Sequence, residues 1–514
     1  MRLSHPTRVA ILHTLVACSS SPASPDAAPE PDASPITTLE LAMTRVPAPG
    51  LDPFEVTVTV RVDGVPTAGK PVAATVRGTA TNINDTGDGT YAFTVMPTAT
   101  GVYPVVITLD DLTVTREAIV LDLVGDGVGQ PMAVPGTFVN TPGYEDGITV
   151  TPDGQYLFVQ YGPLYFSGIA NLGTICADPN LSAGYNLNTC AGRPNAGLVF
   201  DTIGPYTAPA RPNFHAEAIV ADHVRHLPGF VIPNVANGLA AVPTAFYGFH
   251  RQPDGTFAEP FRVAFDDPKG INGPFGLSFV QRTDGTTTFA LAWNNFLDDL
   301  GDEGADIHTG TLTLGEDHSL GTVTYGAAFG GDSFGSIVPT IEPVNFPSHV
   351  GQQGNPHLGT DAGGAITSIW TDDETGSFDL AVHRLTAGSF PDGTWTRETL
   401  PPIINTPDEE DQPFFTGREL IFSRGASIVS HAYRPTNGAC ANGFTSADCW
   451  GPETVLLGGL GNTAAGELFG VGEPTVATID GKRLLYFAVI KVRDSQQFPG
   501  IVDFDLDAGF VELP

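Results

Sequence analysis

The chain has 514 residues, of which 60 are glycine and 44 proline, about a fifth of the total against a usual share of about 12%. Only 16% are charged, 57 acidic against 23 basic, for a formal charge of −34. These numbers exclude a coiled coil, a collagen, bulk disorder and a polytopic membrane protein. The negative field repels phosphate backbones, which excludes nucleic acid as a partner. What remains is an exported, loop-rich, all-β protein of more than one domain, whose acids suit divalent cations, basic ligands or solubility.

The first 17 residues read as a signal peptide. Arg2 and Arg8 form a basic start, and Val9–Ala17 is an apolar run too short to span a bilayer. The run ends in Leu15-Val16-Ala17-Cys18. This resembles the bacterial lipobox, which implies lipidation of Cys18, export and outer-membrane anchoring, on the periplasmic face or the cell surface. An ordinary signal peptide with an incidental cysteine is the alternative. From residue 18 to 35 the chain is rich in Pro, Ser and Ala, the composition of an extended tether.

Residues 36–124 form the first domain. In Phe54–Val62, Val56, Val58, Val60 and Val62 alternate with polar residues, so one strand face is buried, and Asp63-Gly64 then marks a turn. Further on, Asp88-Gly89-Thr90-Tyr91 opens a strand with Phe93 and Val95, and Gly101-Val102-Tyr103-Pro104-Val105 opens another. The pattern resembles the Ig-like modules of filamin and of bacterial surface adhesins. The resemblance implies a β-sandwich serving as spacer or binding platform. It also makes Tyr103 a tyrosine-corner residue, its ring packed and its hydroxyl bonded to backbone.

Residues 130–514 carry little helical periodicity but repeat a phrase: a polar residue, a small residue or proline, a strand, a Gly turn and an apolar strand. Copies begin near Asp146, Asn272, Asn355, Asp411 and Glu473, with a weaker one at His215–His223 around Glu217. The step averages about 65 residues, more than the ~40–50 that four short strands need. Each copy is therefore one decorated propeller blade, and six blades at that step fill the domain, with five or seven left open because the copy around Glu217 is degenerate and the closing strand is not identified. Thr151-Pro152-Asp153-Gly154 with its following strand, and Ile479-Asp480-Gly481 with its own, resemble the repeat of TolB-type β-propellers.

In an exported chain the pairs Cys176/Cys190 and Cys440/Cys449 suggest two disulfides, each closing a polar loop.

Inner strands line a propeller's channel. Asp146, Glu217, Asn272, Asn355, Asp411 and Glu473 should then converge at one mouth, with Glu145, His215, His357 and Glu410 nearby. Such oxygens suit a hard cation such as Ca²⁺. Paired carboxylates suit glycoside hydrolysis, one as acid and one as base or nucleophile. A third reading has them bonding neighbouring blades. Asp298, Asp299, Asp302 and Asp306 lie in a stretch with five acids in nine residues. It could hold Ca²⁺, but it lacks the spacing of the known loop and reads first as a solvated loop; Asp372 opens a similar stretch. Gly331–Gly335 matches the G-x-S-x-G elbow, but the β-branched residues and prolines after it preclude the helix an elbow needs. The four tryptophans read as blade packing. The expectation is a lipid-anchored cell-envelope protein whose propeller binds a protein, glycan or cation; the alternative is a propeller glycosidase using channel-mouth carboxylates.

Overall fold

The computed structural model describes residues 35–48, 51–136, 139–140, 144–162, 245–257, 261–265, 274–281, 288–295, 306–314, 335–339, 353–361, 364–373, 378–435, 440, 443–459, 461–463, 466–494 and 502–514. Apart from one short 3₁₀ turn, every regular element among them is a strand.

The N-terminal strands form two sheets. Thr37–Arg45, Phe54–Val62 and Thr90–Val95 lie side by side in one. Ala73–Val76, Gly101–Leu109 and Leu112–Val120 do so in the other. Alternation works as expected: Val56, Val58 and Val60 are buried, and they pack with Tyr91, Phe93, Val105 and Ile107 in one core drawn from both sheets. The Tyr103 ring is buried there. Its hydroxyl donates to the Ala99 carbonyl at 2.9 Å, which ties down the preceding loop.

The remaining strands make four-stranded antiparallel blades. Blade 1 is Tyr144–Val150, Tyr156–Gly162, Ala245–His250 and Phe261–Phe265. Blade 2 is Pro274–Gln281, Thr288–Asn295, Asp306–Leu314 and Gly335–Pro339. Blade 3 is Gln353–Thr360, Ile366–Asp373, Asp379–Ala387 and Thr394–Glu398. Blade 4 is Glu410–Phe415, Glu419–Arg424, Ser427–Tyr433 and Trp450–Gly458. Blade 5 is Leu468–Ile479, Lys482–Asp494 and Val502–Glu512. Its fourth strand is Met132–Ala133, from the chain before blade 1. This exchange closes the ring.

The described strands thus form five blades where the repeat step led us to expect six. Their inner strands neighbour one another in the closed order 1–2–3–4–5–1. The weak copy around Glu217 falls between two strands that pair directly, Tyr156–Gly162 and Ala245–His250. It lies outside the described residues. The repeat count had taken the long connection between those two strands for a blade.

The N-terminal sandwich is joined to the propeller through a shared sheet. Ala118 in its last strand pairs with Met132, and Leu123–Val124 adds an outer strand to blade 4. Ile119, Leu121 and Val128 share a core with Leu457, Phe469, Phe487, Val489 and Val511 of blades 4 and 5.

The turn chemistry is local. In Thr151–Gln155, the Asp153 carboxylate accepts from the Thr151 hydroxyl at 2.7 Å and the Gln155 amide at 3.0 Å, and Gly154 takes a positive φ of 69°. Asp480 and Gly481, at φ 52° and 79°, make the tight hairpin between the first two strands of blade 5. Cys440 and Cys449 form the expected disulfide, beneath Phe444 and Trp450. Cys18, Cys176 and Cys190 lie outside the described residues.

Candidate functional site

Each inner strand breaks register near its start. The break falls between Asp146 and Thr149 in blade 1, Phe275 and Leu277 in blade 2, and Gly354 and His357 in blade 3. In blades 4 and 5 it falls between Asp411 and Phe414, and between Gly472 and Thr475. These are β-bulges, which re-aim side chains. At the first unpaired position blade 1 has Gly147 (φ 57°), but blades 3, 4 and 5 have Asn355 (φ 40°), Gln412 (φ 54°) and Glu473 (φ 56°). Left-handed backbone is unfavourable for such residues. A proline follows each of these three, at a position with no ladder bond to lose.

The bulges bring Asp146, Asn355, Asp411 and Glu473 to one end of the channel. They do not occupy equivalent positions: Asp146 and Asp411 precede the bulge, whereas Asn355 and Glu473 form it. Glu217 and Asn272 lie outside the described residues.

The acids meet in pairs. Glu473 faces Asp146 across the seam between blades 5 and 1; burial first, then the Asp146 charge, holds its carboxyl well above the usual glutamate range. Its Oε1 accepts from Gln412 Nε2 at 3.2 Å, and its Oε2 from the Ile148 amide at 3.4 Å. Asp411 faces Asp372, and burial followed by the Asp372 charge likewise holds its carboxyl well above the aspartate range. The Asn355 amide donates to both, at 2.7 Å to Asp372 Oδ2 and 3.0 Å to Asp411 Oδ1. Two carboxyls that close cannot both ionise cheaply, so like charge adds to burial in favouring the protonated form of Glu473 and of Asp411.

A cavity of about 860 Å³ occupies the channel. Glu473, Gln412 and Asn355 line one end and Arg418 and Arg483 the other, with Phe414 among the wall residues between them. The volume is that of a small-molecule site.

Asp372 corrects the sequence reading of a solvated loop: it is fully buried in a strand, opposite Gly354. A Cβ at Gly354 would sit 2.2 Å from its Oδ1, so only glycine leaves room. Asp372 and Gln412 are the site residues the candidate set lacked. The available signal was the repeated tripeptide of a small or acidic residue, an amide or acid, and proline.

Other acids and histidines have structural partners. Glu410 is buried against Arg424, 3.0 Å from its Nε, and accepts from Thr406. His357 lies 3.3 Å from the Ser278 hydroxyl and 3.0 Å from the Phe415 carbonyl, linking blades 2, 3 and 4. Burial pushes its pKa down to about 4, so it is neutral. Glu145 points away from Asp146, to Asp505 and Asp507 of blade 5. Among the described residues, this trio is the one that brings three ligand oxygens within 4.8 Å of one another. The Lys491 ammonium already contacts both aspartates, at 3.1 Å from Asp505 and closer to Asp507. The group is an ion-pair network on the closing seam. Asp306 opens a blade 2 strand, and Asp298, Asp299 and Asp302 lie outside the described residues. The segment after the G-x-S-x-G match, Gly335–Pro339, is a strand. Trp370, Trp395 and Trp450 are buried blade packing.

No protein-family model matches the chain, and no curated protein matches it. Among solved structures, the chain is similar to the β-xylosidase RS223, at 8% identity over 74% of this chain and 95% of that one, with a TM-score of 0.32. It is similar to a Trypanosoma rangeli sialidase at 8% identity over 76% and 57%, TM-score 0.31. A Cellvibrio cellulosa α-L-arabinanase aligns at 10% identity over 50% and 91%, TM-score 0.25. The blade order described above, not these alignments, defines this chain as an all-β propeller protein.

Proposed function

We propose that the propeller is a hydrolase of glycosidic bonds acting at the bulge end of its channel. One observation carries the reading: Glu473, whose carboxyl burial and the facing Asp146 hold well above the usual glutamate range, stands on the wall of a cavity of small-molecule size. A proton-bearing acid is what the departing glycosidic oxygen requires. The Asp372–Asp411 pair, one blade away, supplies the second carboxyl group, as base or nucleophile. Low dielectric around the pairs strengthens their action on a developing positive charge at the sugar ring.

Release of reducing ends from a panel of oligosaccharides and alkyl glycosides tests this. Turnover that disappears in Glu473→Gln and in Asp411→Asn, with both variants folded, supports it. A folded wild-type protein that cleaves nothing on the panel refutes it.

A ligand-binding scaffold is the second reading. It is favoured by the hydrogen bonds that these same carboxyls make between blades. Saturable glycan binding without cleavage would select it. For either reading we propose that Cys18 carries a lipid and that the Pro-rich stretch after it holds the protein off an envelope membrane. Radiolabelled palmitate incorporated by wild type but not by Cys18→Ala supports the anchor; label surviving the substitution contradicts it.

A further inference from the structure

We propose that Asn355 and Gln412 are positioning residues whose side-chain amides reach over a blade seam to limit how tightly the Asp411 and Glu473 carboxyls hold their protons. The catalytic meaning of this rests on the hydrolase reading; the geometry stands without it.

The two residues occupy the same place in successive blades. Asn355 in blade 3 donates one amide hydrogen to Asp372 in its own blade and the other to Asp411 in blade 4. Gln412 in blade 4 donates to Glu473 in blade 5. The Gln412 amide has a defined orientation. Its Oε1 accepts from the Glu473 backbone amide at 2.8 Å and from the Ser423 hydroxyl at 2.8 Å. Those donors need an oxygen there, so the NH₂ group must face the Glu473 carboxyl. An N–H aimed at a carboxyl oxygen favours the anion. Each amide therefore opposes the burial and like charge that favour the proton, and moderates the rise at Asp411 and Glu473 without reversing it.

The backbone supports a role for these side chains. Blade 1 places Gly147 at the equivalent bulge, where a positive φ is free of strain. Blades 3 and 4 retain Asn and Gln at φ 40° and 54°. Glycine would relieve that strain at both positions but would remove the amide. Strain of this kind gathers at functional sites.

The test uses Asn355→Gly and Gln412→Gly, which delete the amide and relax the backbone. Gln412→Met serves as a control of similar size that removes the donor without adding a titratable group. In each, the infrared band of protonated carboxyl is titrated in the whole protein beside its melting temperature. We expect the band to persist to higher pH by roughly one unit, a tenfold change in acid dissociation constant, in all three variants. The glycine variants should melt no lower than wild type. If the glycine variants misfold, Gln412→Met decides by the same shift. A lower melting temperature with an unmoved midpoint overturns the proposal and leaves the amides as seam bonds. Because this readout needs no substrate, absence of glycoside turnover would refute the hydrolase reading without deciding the role of the amides.

Discussion

Gly509 is where the joint between sandwich and propeller can be tested by adding one methyl group. It lies in the last strand of blade 5, opposite Phe487 on one side and Ala133 on the other. A Cβ there would sit 2.7 Å from Phe487 Cε2 and Cζ and 2.9 Å from Ile119 Cδ1. Phe487 is 0% and Ile119 1% exposed, so neither can swing into solvent. Overpacking of this kind costs about 1–3 kcal/mol. The lost flexibility of the unfolded chain returns about 0.4–1 kcal/mol, so Gly509→Ala should destabilise by about 1–2 kcal/mol. Ile119 belongs to the sandwich. Ile119→Val alone should cost about 0.5–1.5 kcal/mol, but in the Gly509→Ala background it removes the clashing methyl and should cost less. Guanidinium unfolding of the four proteins yields the coupling directly, and about 0.5–1 kcal/mol is expected. Additive costs, or a separate unfolding step for the sandwich, would show that the two units are not packed as one and would refute the reasoning.

Stability should depend on pH in two opposed ways. Glu473 and Asp411 hold protons in the fold that they would release on unfolding. Their contribution is present below the ordinary carboxylate values and is lost as pH rises towards their folded ones. His357 does the reverse: the unfolded chain takes its proton near 6.5 and the fold resists to about 4. About 3 kcal/mol should therefore be lost as pH falls between those values. A melting curve against pH should be dome-shaped, with the alkaline decline flattened in Glu473→Gln; an unchanged alkaline decline in that variant contradicts the assignment. Replacing Cys440 and Cys449 together by alanine opens a short loop, the cysteines being nine positions apart, and should cost about 2–3 kcal/mol. That loss is read as a lower guanidinium midpoint that reductant no longer affects in the variant.

Much of the fold was legible because strands announce themselves locally. The alternation in Phe54–Val62, the Asp-Gly turns and the short Cys440/Cys449 spacing each depend on neighbouring residues alone. The acids that open the repeats were legible as a group for the same reason. The blade number was not, because a step length cannot distinguish a blade from a long connection inside one. The closing strand Met132–Ala133 is two residues long and carries no pattern. Asp372 was hidden at the end of an apolar strand, where its meaning comes from Gly354 opposite and from Asp411 in the next blade. Gln412 stood beside a more conspicuous aspartate, and only the bulge register assigns it to the equivalent of Asn355.

The leaving-group dependence of Glu473→Gln tests the central claim most directly. A general acid matters in proportion to how poorly the departing oxygen carries negative charge. The variant should lose roughly 10²–10⁴-fold in kcat/KM on alkyl glycosides but little on dinitrophenyl glycosides, whose leaving group needs no proton. Equal losses on both substrates, or no loss on either, would contradict Glu473 as the proton donor.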